Sequence, residues 1–469
     1  MNDRIDLVEE SFMQTEEARI NEFVQLLHSH QHEQLAEQLA AIRAQDIAFL
    51  LMELEEADRF AAFKQLPQER RADVFSHIDK SQQLALLASW NDADKRVVLS
   101  NLLPDDLTDL LEALPQEQVE HLLRLLPQKA MRRAMTLLGY PADSAGRLMT
   151  PDYFAVHANQ TIGEALEAIR NQTDRYETVN TIFVVDDNQL LLNVIPLRRF
   201  VSGAPEDSVS TLIKDDEPLI TIGVSADEAE AVRIMRHYDL SVLPVVDPGN
   251  HLLGIVTVDD VLDVAEEEAT EDFQRMGAVG HGDDGSGLFN ISLRDARPSL
   301  LYRKRIGWLL ILVFINIFGG AAIAQFEDAI EALVVLVFFL PLVIDSGGNA
   351  GTQSATLMVR ALATGDVKLS NWLKLFTKEL SVAAALGITM AVAVSAVGLW
   401  RGGMEVALVV AIAMVLVVVV GSLIGMLLPF ILTRFKLDPA TASGPLITSI
   451  ADLSGIVMYF SVATAILNL

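Results

Sequence analysis

Leu340-Pro341-Leu342-Val343-Ile344-Asp345-Ser346-Gly347-Gly348-Asn349-Ala350-Gly351-Thr352-Gln353-Ser354 sets a proline, three glycines, two amides and a carboxylate inside apolar sequence. The stretch belongs to a run, 332–359, whose only charge is Asp345. About 20 apolar residues suffice to cross a bilayer as a helix. Four more runs reach that length: 306–326, 380–400 and 406–433 without charge, and 440–467 with Asp452 alone. Five such runs in succession predict an α-helical transmembrane bundle of five helices over 301–469. Within it the glycines and polar groups predict a second span whose backbone is broken at membrane depth. That state survives only where the backbone is buried or faces a watery cavity, and carbonyls freed there can line an ion path. Glycines used only for helix packing would not require Asn349, Gln353 and Asp345.

The fifth run carries Asp452 near its middle. A central Asp costs about 2.5–3.5 kcal/mol on insertion scales, and such residues mark ion or proton routes. No Lys or Arg within the runs is available to pair with it, so Asp452 is expected to face a pore. Loop charges set the orientation. Arg294, Arg297, Arg303, Lys304 and Arg305 precede the first run; Arg360, Lys368, Lys374 and Lys378 lie between the second and third; Arg434 and Lys436 lie between the fourth and fifth. The opposite connections hold Glu327, Asp328 and Glu331, and Arg401 with Glu405. Residues 1–300 are therefore expected in the cytoplasm and the C-terminus on the periplasmic or extracellular side of a multi-pass protein of the cell (inner) membrane. The first residues, Met1-Asn2-Asp3-Arg4-Ile5-Asp6, lack the pattern of a signal peptide.

The 469 residues are 51% hydrophobic yet carry a net charge of −28, and the two properties are segregated. Residues 301–469 hold 10 basic and 9 acidic side chains, which leaves 25 of the 35 basic and 54 of the 63 acidic ones, a net of −29, in 1–300. An acidic soluble block of that kind argues against a nucleic-acid partner, which wants a basic face. Without cysteine there is no disulfide, thiol nucleophile or Cys-ligated metal. No P-loop, Walker lysine or nucleophile–base pair is present, and no enzymatic activity is expected.

Residues 1–140 read as short helices punctuated by Leu66-Pro67, Leu103-Pro104, Leu114-Pro115 and Leu126-Pro127. Proline suits a first helical turn, and the acids that follow favour the positive end of the dipole. A helical superhelix is predicted, with an irregular bundle as the alternative. Residues 141–203 and 204–265 change to β-branched runs alternating with amphipathic helices: Thr181-Ile182-Phe183-Val184-Val185 recurs about 62 residues on as Val242-Leu243-Pro244-Val245-Val246. Two small α/β modules are predicted. After them, at the head of a linking segment over 262–300, residues 259–272 pack eight acids into fourteen positions with no base. Like charges at helical spacing cost about 0.2–0.5 kcal/mol per pair. A hard divalent cation, which takes oxygen ligands, would relieve them. His28, His30 and His32 alternate, and a solvated face explains them better than a metal site.

The module pair resembles tandem CBS domains, on Leu240-Ser241-Val242-Leu243-Pro244-Val245-Val246-Asp247 and Gly254-Ile255-Val256-Thr257-Val258-Asp259-Asp260. That resemblance implies a place for an adenine nucleotide at Thr257 and Asp260, with ATP as a regulator at most. The first module carries Pro196 and Arg199 at the equivalent positions, and a pair used only as a scaffold is the alternative. Taken with Gly146-Arg147-Leu148-Met149-Thr150-Pro151, the Gly347–Ser354 motif and Asp438-Pro439, nearly the whole chain resembles the MgtE family of magnesium channels. The resemblance implies a homodimer in a lipid bilayer that imports Mg²⁺ through a pore between its subunits, and a linking helix that plugs the pore when cytoplasmic Mg²⁺ is abundant. By motif it implies Asp452 as the pore carboxylate, with Gly444, Thr448 and Asn349 nearby. It implies a Mg²⁺ sensor formed by Asp105, Asp109, Asp239, Asp260, Asp263, Glu268, Glu271 and Asp272. A proton-coupled divalent-cation carrier and a non-conducting membrane-anchored sensor are the rival readings.

Overall fold

The computed structural model describes residues 23–29, 32–172, 176–214, 218–279, 297–367 and 369–467. The chain divides into two compact units at Glu266/Glu267.

The first unit begins with short helices whose starts follow the prolines. Pro104 occupies the first turn of Pro104–Glu112, while Pro115 and Pro127 stand as the residues just before Gln116–Leu125 and Gln128–Leu138. Each helix packs on the one two places along, for example Ala44–Glu53 on Arg71–Ser76 and Pro104–Glu112 on Gln128–Leu138. That repeat is the signature of a superhelix rather than an irregular bundle. Arginines close the helix ends. Arg59 donates to the carbonyls of Leu51, Met52 and Leu54, and Arg70 to those of Leu39, Ala40 and Ile42. Helix C-termini leave carbonyls without partners, and a guanidinium there also meets the negative end of the dipole. Phe63, Phe75 and Trp90 form an aromatic knot in the core, with centroids 5.1–6.3 Å apart.

The two α/β modules are built alike. In one sheet β1 (Ala155–His157) runs parallel to β2 (Thr181–Val185), which pairs antiparallel with β3 (Leu191–Pro196). In the other, β4 (Ile222–Gly223), β5 (Val242–Val246) and β6 (Leu252–Thr257) repeat that order. Both central strands are shifted in register at their last valine pair, Val184/Val185 and Val245/Val246. Asp186 and Asp247 then hold equivalent turns, accepting N–H groups from Asn188 and Leu190 and from Gly249 and His251. The unit closes with the linking helix, Val258–Met276, whose later residues belong to the second unit.

In the second unit, four helices are long and apolar enough to cross a membrane: Pro298–Ala324, Val335–Ala363, Trp372–Arg434 and Gly444–Leu467. The 63-residue helix is two helices joined at Gly403, whose φ of 79° is open to glycine at little cost. Its halves fold back on each other. A Cβ on Gly398 would lie 2.8 Å from Ala407 Cα, and one on Gly387 3.0 Å from Val415 Cα. The unit therefore holds five apolar helical segments. A short helix, Glu327–Ala332, precedes the second of them and was not anticipated from the sequence.

The expected break in the second span does not occur. Val335–Ala363 is one continuous helix through Pro341 and all three glycines. The glycines instead bring helices into backbone contact. A Cβ on Gly421 would stand 2.2 Å from the Gly347 carbonyl oxygen, and one on Gly425 1.9 Å from that of Gly351. Close packing, not an opened backbone, is the physical reason for these residues. Phe339, Val343, Val417, Val418, Tyr459 and Phe460 fill the core beside this crossing, and the Tyr459 hydroxyl donates to the Leu336 carbonyl at 2.9 Å.

Candidate functional site

Two groups of carboxylates stand out, one in each unit. In the second unit, Gly444, Thr448 and Asp452 recur every four residues along the last helix and so share one face. Gly348 of the second apolar helix meets that face. A Cβ there would lie 2.9 Å from Thr448 Cγ2 and 3.4 Å from Asp452 Oδ1. The missing side chain leaves the Asp452 carboxylate next to an open cleft of about 630 Å³, which Asp345 and the Pro341 turn also line. Asn349 donates to Asp345 at 3.0 Å. The Thr448 hydroxyl donates to the carbonyls of Gly444 (2.8 Å) and Pro445 (3.0 Å), and Thr352 donates to Gly348 (3.0 Å). The hydroxyl hydrogens are thus directed to their own helices, while both carboxylates face the cleft with no basic residue in its lining. Such a cleft attracts a hydrated cation through oxygen ligands. Asp452 and Asp345 line the cleft together, Thr448 stands beside Asp452 against Gly348, Asn349 is tied to Asp345, and Gly444 lies two turns away from Asp452.

In the first unit, two acidic dyads meet. Asp105 and Asp106 lie in the first turn of Pro104–Glu112, Asp259 and Asp260 in the first turn of the linking helix. Burial, then the neighbouring charges of Asp260, Asp106 and Glu177, hold the Asp105 carboxyl well above the usual range, and its Oδ1 is buried without a hydrogen-bond partner. Burial pushes Asp260 up to about 7 against the hydrogen bond it accepts from the Thr257 hydroxyl (2.6 Å). Asp106, Glu177 and Asp263 are raised too, each by burial first and then by acidic neighbours. Asp105, Asp260 and Asp263 come from the sequence reading; Asp106, Asp259 and Glu177 are additions. The paired dyads were a visible signal for the first two, whereas Glu177 joins from a loop that no motif marks.

Asp109 is exposed and paired with Lys80. Asp239 is exposed at the end of Glu228–Tyr238, where its left-handed backbone (φ 51°) terminates the helix. Glu268 is exposed, Glu271 pairs with Arg275, and burial raises Asp272 against the nearby Arg275. Among the described residues, no three acidic or histidine side chains converge as a ready cage for a bare ion. The Thr257 hydroxyl donates to Asp260, which brings these two side chains together at the start of the linking helix. His28 pairs with Asp58 at 2.9 Å; His30, the His32 side chain, Arg294 and Lys368 lie outside the described residues.

Family models agree with this layout. The model described as a divalent cation transporter (MgtE) matches residues 340–462, the MgtE intracellular N domain matches 42–143, and the CBS domain matches 145–204 and 209–267. The magnesium transporter MgtE of Thermus thermophilus is 36% identical over 437 residues, covering 92% of this chain and 95% of its own. The chain belongs to the MgtE family. Its Bacillus subtilis relative, also a magnesium transporter MgtE, is 32% identical over 90% of this chain and 92% of its own. Two solved structures match the soluble half. The soluble part of a magnesium transporter has a TM-score of 0.51 at 28% identity, over 54% of this chain and 99% of its own. The cytosolic domain of the Mg²⁺ channel MgtE in complex with ATP has a TM-score of 0.50 at 34% identity, over 52% and 99%. The MgtE-family architecture of helical domain, CBS pair and apolar helical bundle is therefore the fold of this chain.

Proposed function

We propose that this chain imports Mg²⁺ along the cleft that holds Asp452 and Asp345, and that Mg²⁺ gathered by the acidic cluster closes the path. The observation that carries the reading is a pair of cleft-facing carboxylates in an apolar bundle with no base in the lining. Mg²⁺ keeps its water and wants octahedral oxygen geometry, so carboxylates that touch its waters suit it better than a tight cage. Relatives named as magnesium transporters support the choice of ion. In this reading the protein is a homodimer, and two copies of Asp452 face one hydrated ion. In this reading residues 1–300 lie in the cytoplasm and the C-terminus outside, which the basic loop residues Arg303, Lys304, Arg305, Arg360, Lys374, Lys378, Arg434 and Lys436 support.

Closure follows from repulsion. The cluster around Asp105 and Asp260 resists compaction until cations neutralise it, and Asp105 Oδ1 supplies a buried oxygen without a partner. ATP, which a relative's cytosolic domain holds, acts here as a regulator at the CBS pair, where Thr257 must release Asp260 to meet it. Flux into liposomes tests the assignment. Asp452→Ala reduces Mg²⁺ uptake to background while the protein stays folded and oligomeric by size-exclusion chromatography. Wild-type uptake by that variant would remove Asp452 from the path.

A further inference from the structure

Near the far end of the linking helix a guanidinium binds two carboxylates. Arg275 pairs through one nitrogen with Glu271, a turn earlier on the same helix, and through another with Asp438. The other carboxylate oxygen of Asp438 accepts the Ala440 N–H at 2.7 Å and so caps the short turn Pro439–Thr441, which leads into the last helix at Gly444. All three side chains are less than one-third exposed (31%, 24% and 28%), so salt screens them less than it would a surface pair. The Met276 carbonyl lies 3.8 Å from where a Cβ on Gly444 would stand. The end of the acidic helix thus rests on the start of the helix that carries Asp452, eight residues on, or about 12 Å along its axis.

Arg275 is the positive group that both the Glu271 and the Asp438 carboxylates share, with Asp272 close by. A planar guanidinium answers two carboxylates in fixed directions and does not lose its charge. We propose that Arg275 is a positioning residue, a tethered cation that keeps the end of the linking helix joined to the cap of the Asp452 helix, so that ions binding the upstream acids act on the pore helix through this joint. The inference rests on the reading that the Asp452 cleft conducts. Divalent ions change the acids upstream; Arg275 stays fixed and transmits.

The test compares Arg275→Gln, Asp438→Asn, their double variant and Arg275→Lys in full-length protein, by single-channel recording against cytoplasmic Mg²⁺. Asn at 438 keeps an oxygen for the Ala440 N–H and removes only the charge. Each single neutral variant raises the half-closing Mg²⁺ concentration about fivefold or more and leaves unit conductance unchanged. The double variant is no worse than either single one, and Arg275→Lys stays nearer wild type. An unchanged midpoint, or single effects that multiply in the double variant, overturns the proposal. Because the chain has no cysteine, spin labels at Phe273→Cys and Leu437→Cys report the joint directly. Their distance distribution is narrow in the otherwise native chain and broadens with Arg275→Gln. If the protein passes no Mg²⁺ at all, the functional reading fails, and the label distances still judge the joint: no broadening refutes it.

Discussion

The two groups of acids are built on opposite principles. Around Asp105 and Asp260, carboxylates crowd at two helix starts, and Lys80 and His77 offset the charge of Asp106 alone among the raised acids Asp105, Asp106 and Asp260. Beside Asp452, Asp345 sits on a helix locked backbone to backbone to the second half of Trp372–Arg434 through Gly347, Gly351, Gly421 and Gly425, and the Asp452 helix packs against that same helix at Gly348. The first arrangement gathers carboxyls that repel one another, so it answers to ions and protons. The second has a scaffold that does not depend on charge at all, so its carboxylates stay in place whether or not a cation passes. A sensing surface wants compliance, and a conduction path wants a fixed spacing.

The contrast breaks most severely at the scaffold. Gly425→Ala places a methyl group 1.9 Å from the Gly351 carbonyl, and overpacking of that kind costs about 3 kcal/mol or more. The expected outcome is loss of monodisperse protein in detergent and of all transport. A variant with native stability would show that the crossing is looser than the glycines imply.

A middle-sized effect belongs to the soluble cluster. Asp260 in the folded chain titrates at about 7, raised by burial. A raised carboxylate stabilises the fold fully below its ordinary value and loses that contribution as pH rises through 7. In chelator, going from pH 6 to pH 8 therefore destabilises the packing around Pro104–Glu112 by about 1 kcal/mol. Hydrogen exchange, corrected for its intrinsic pH dependence, reads this directly. Asp105→Asn flattens the slope by removing a second carboxyl whose raised value adds to it, and millimolar Mg²⁺ flattens it in the unsubstituted chain. A slope with the opposite sign would mean that these acids are stabilised as anions.

The smallest effect sharpens the boundary of the cluster. Asp109, one turn from Asp105, is exposed and paired with Lys80. Asp109→Asn should cost no more than about 1 kcal/mol of stability and leave the half-closing Mg²⁺ concentration unchanged. A shift as large as that of Asp105→Asn would enlarge the sensor to include the paired face.

Much of this was legible in linear order. The apolar runs, the Leu-Pro punctuation and the recurring valine-rich strands carry periodicities that local physics reads directly, and they mark out the superhelix, the α/β pair and the apolar bundle. The second span was misread because glycine has two uses that look the same in sequence. It loosens a backbone, or it lets another backbone approach, and only the presence of Gly421 and Gly425 on the facing helix decides for the second. The acidic cluster was half legible. Asp105 and Asp260 stood out beside their acidic neighbours, but Glu177 enters through a fold-level convergence that no local pattern encodes. That Asp239 ends a helix and that Asp109 pairs with Lys80 are likewise matters of the folded chain, which their charge alone does not reveal.

The turn at Gly403 has a consequence for how this family member can change its length. One residue of non-helical backbone joins two long helices, which leaves no slack between them. Each residue added or removed near that turn would rotate everything beyond it by about 100°, carrying Gly421 and Gly425 away from Gly347 and Gly351. Substitutions there can be absorbed one at a time; insertions cannot, because the facing glycines are aligned by counting from that corner. Here the chain's length is itself a structural constraint.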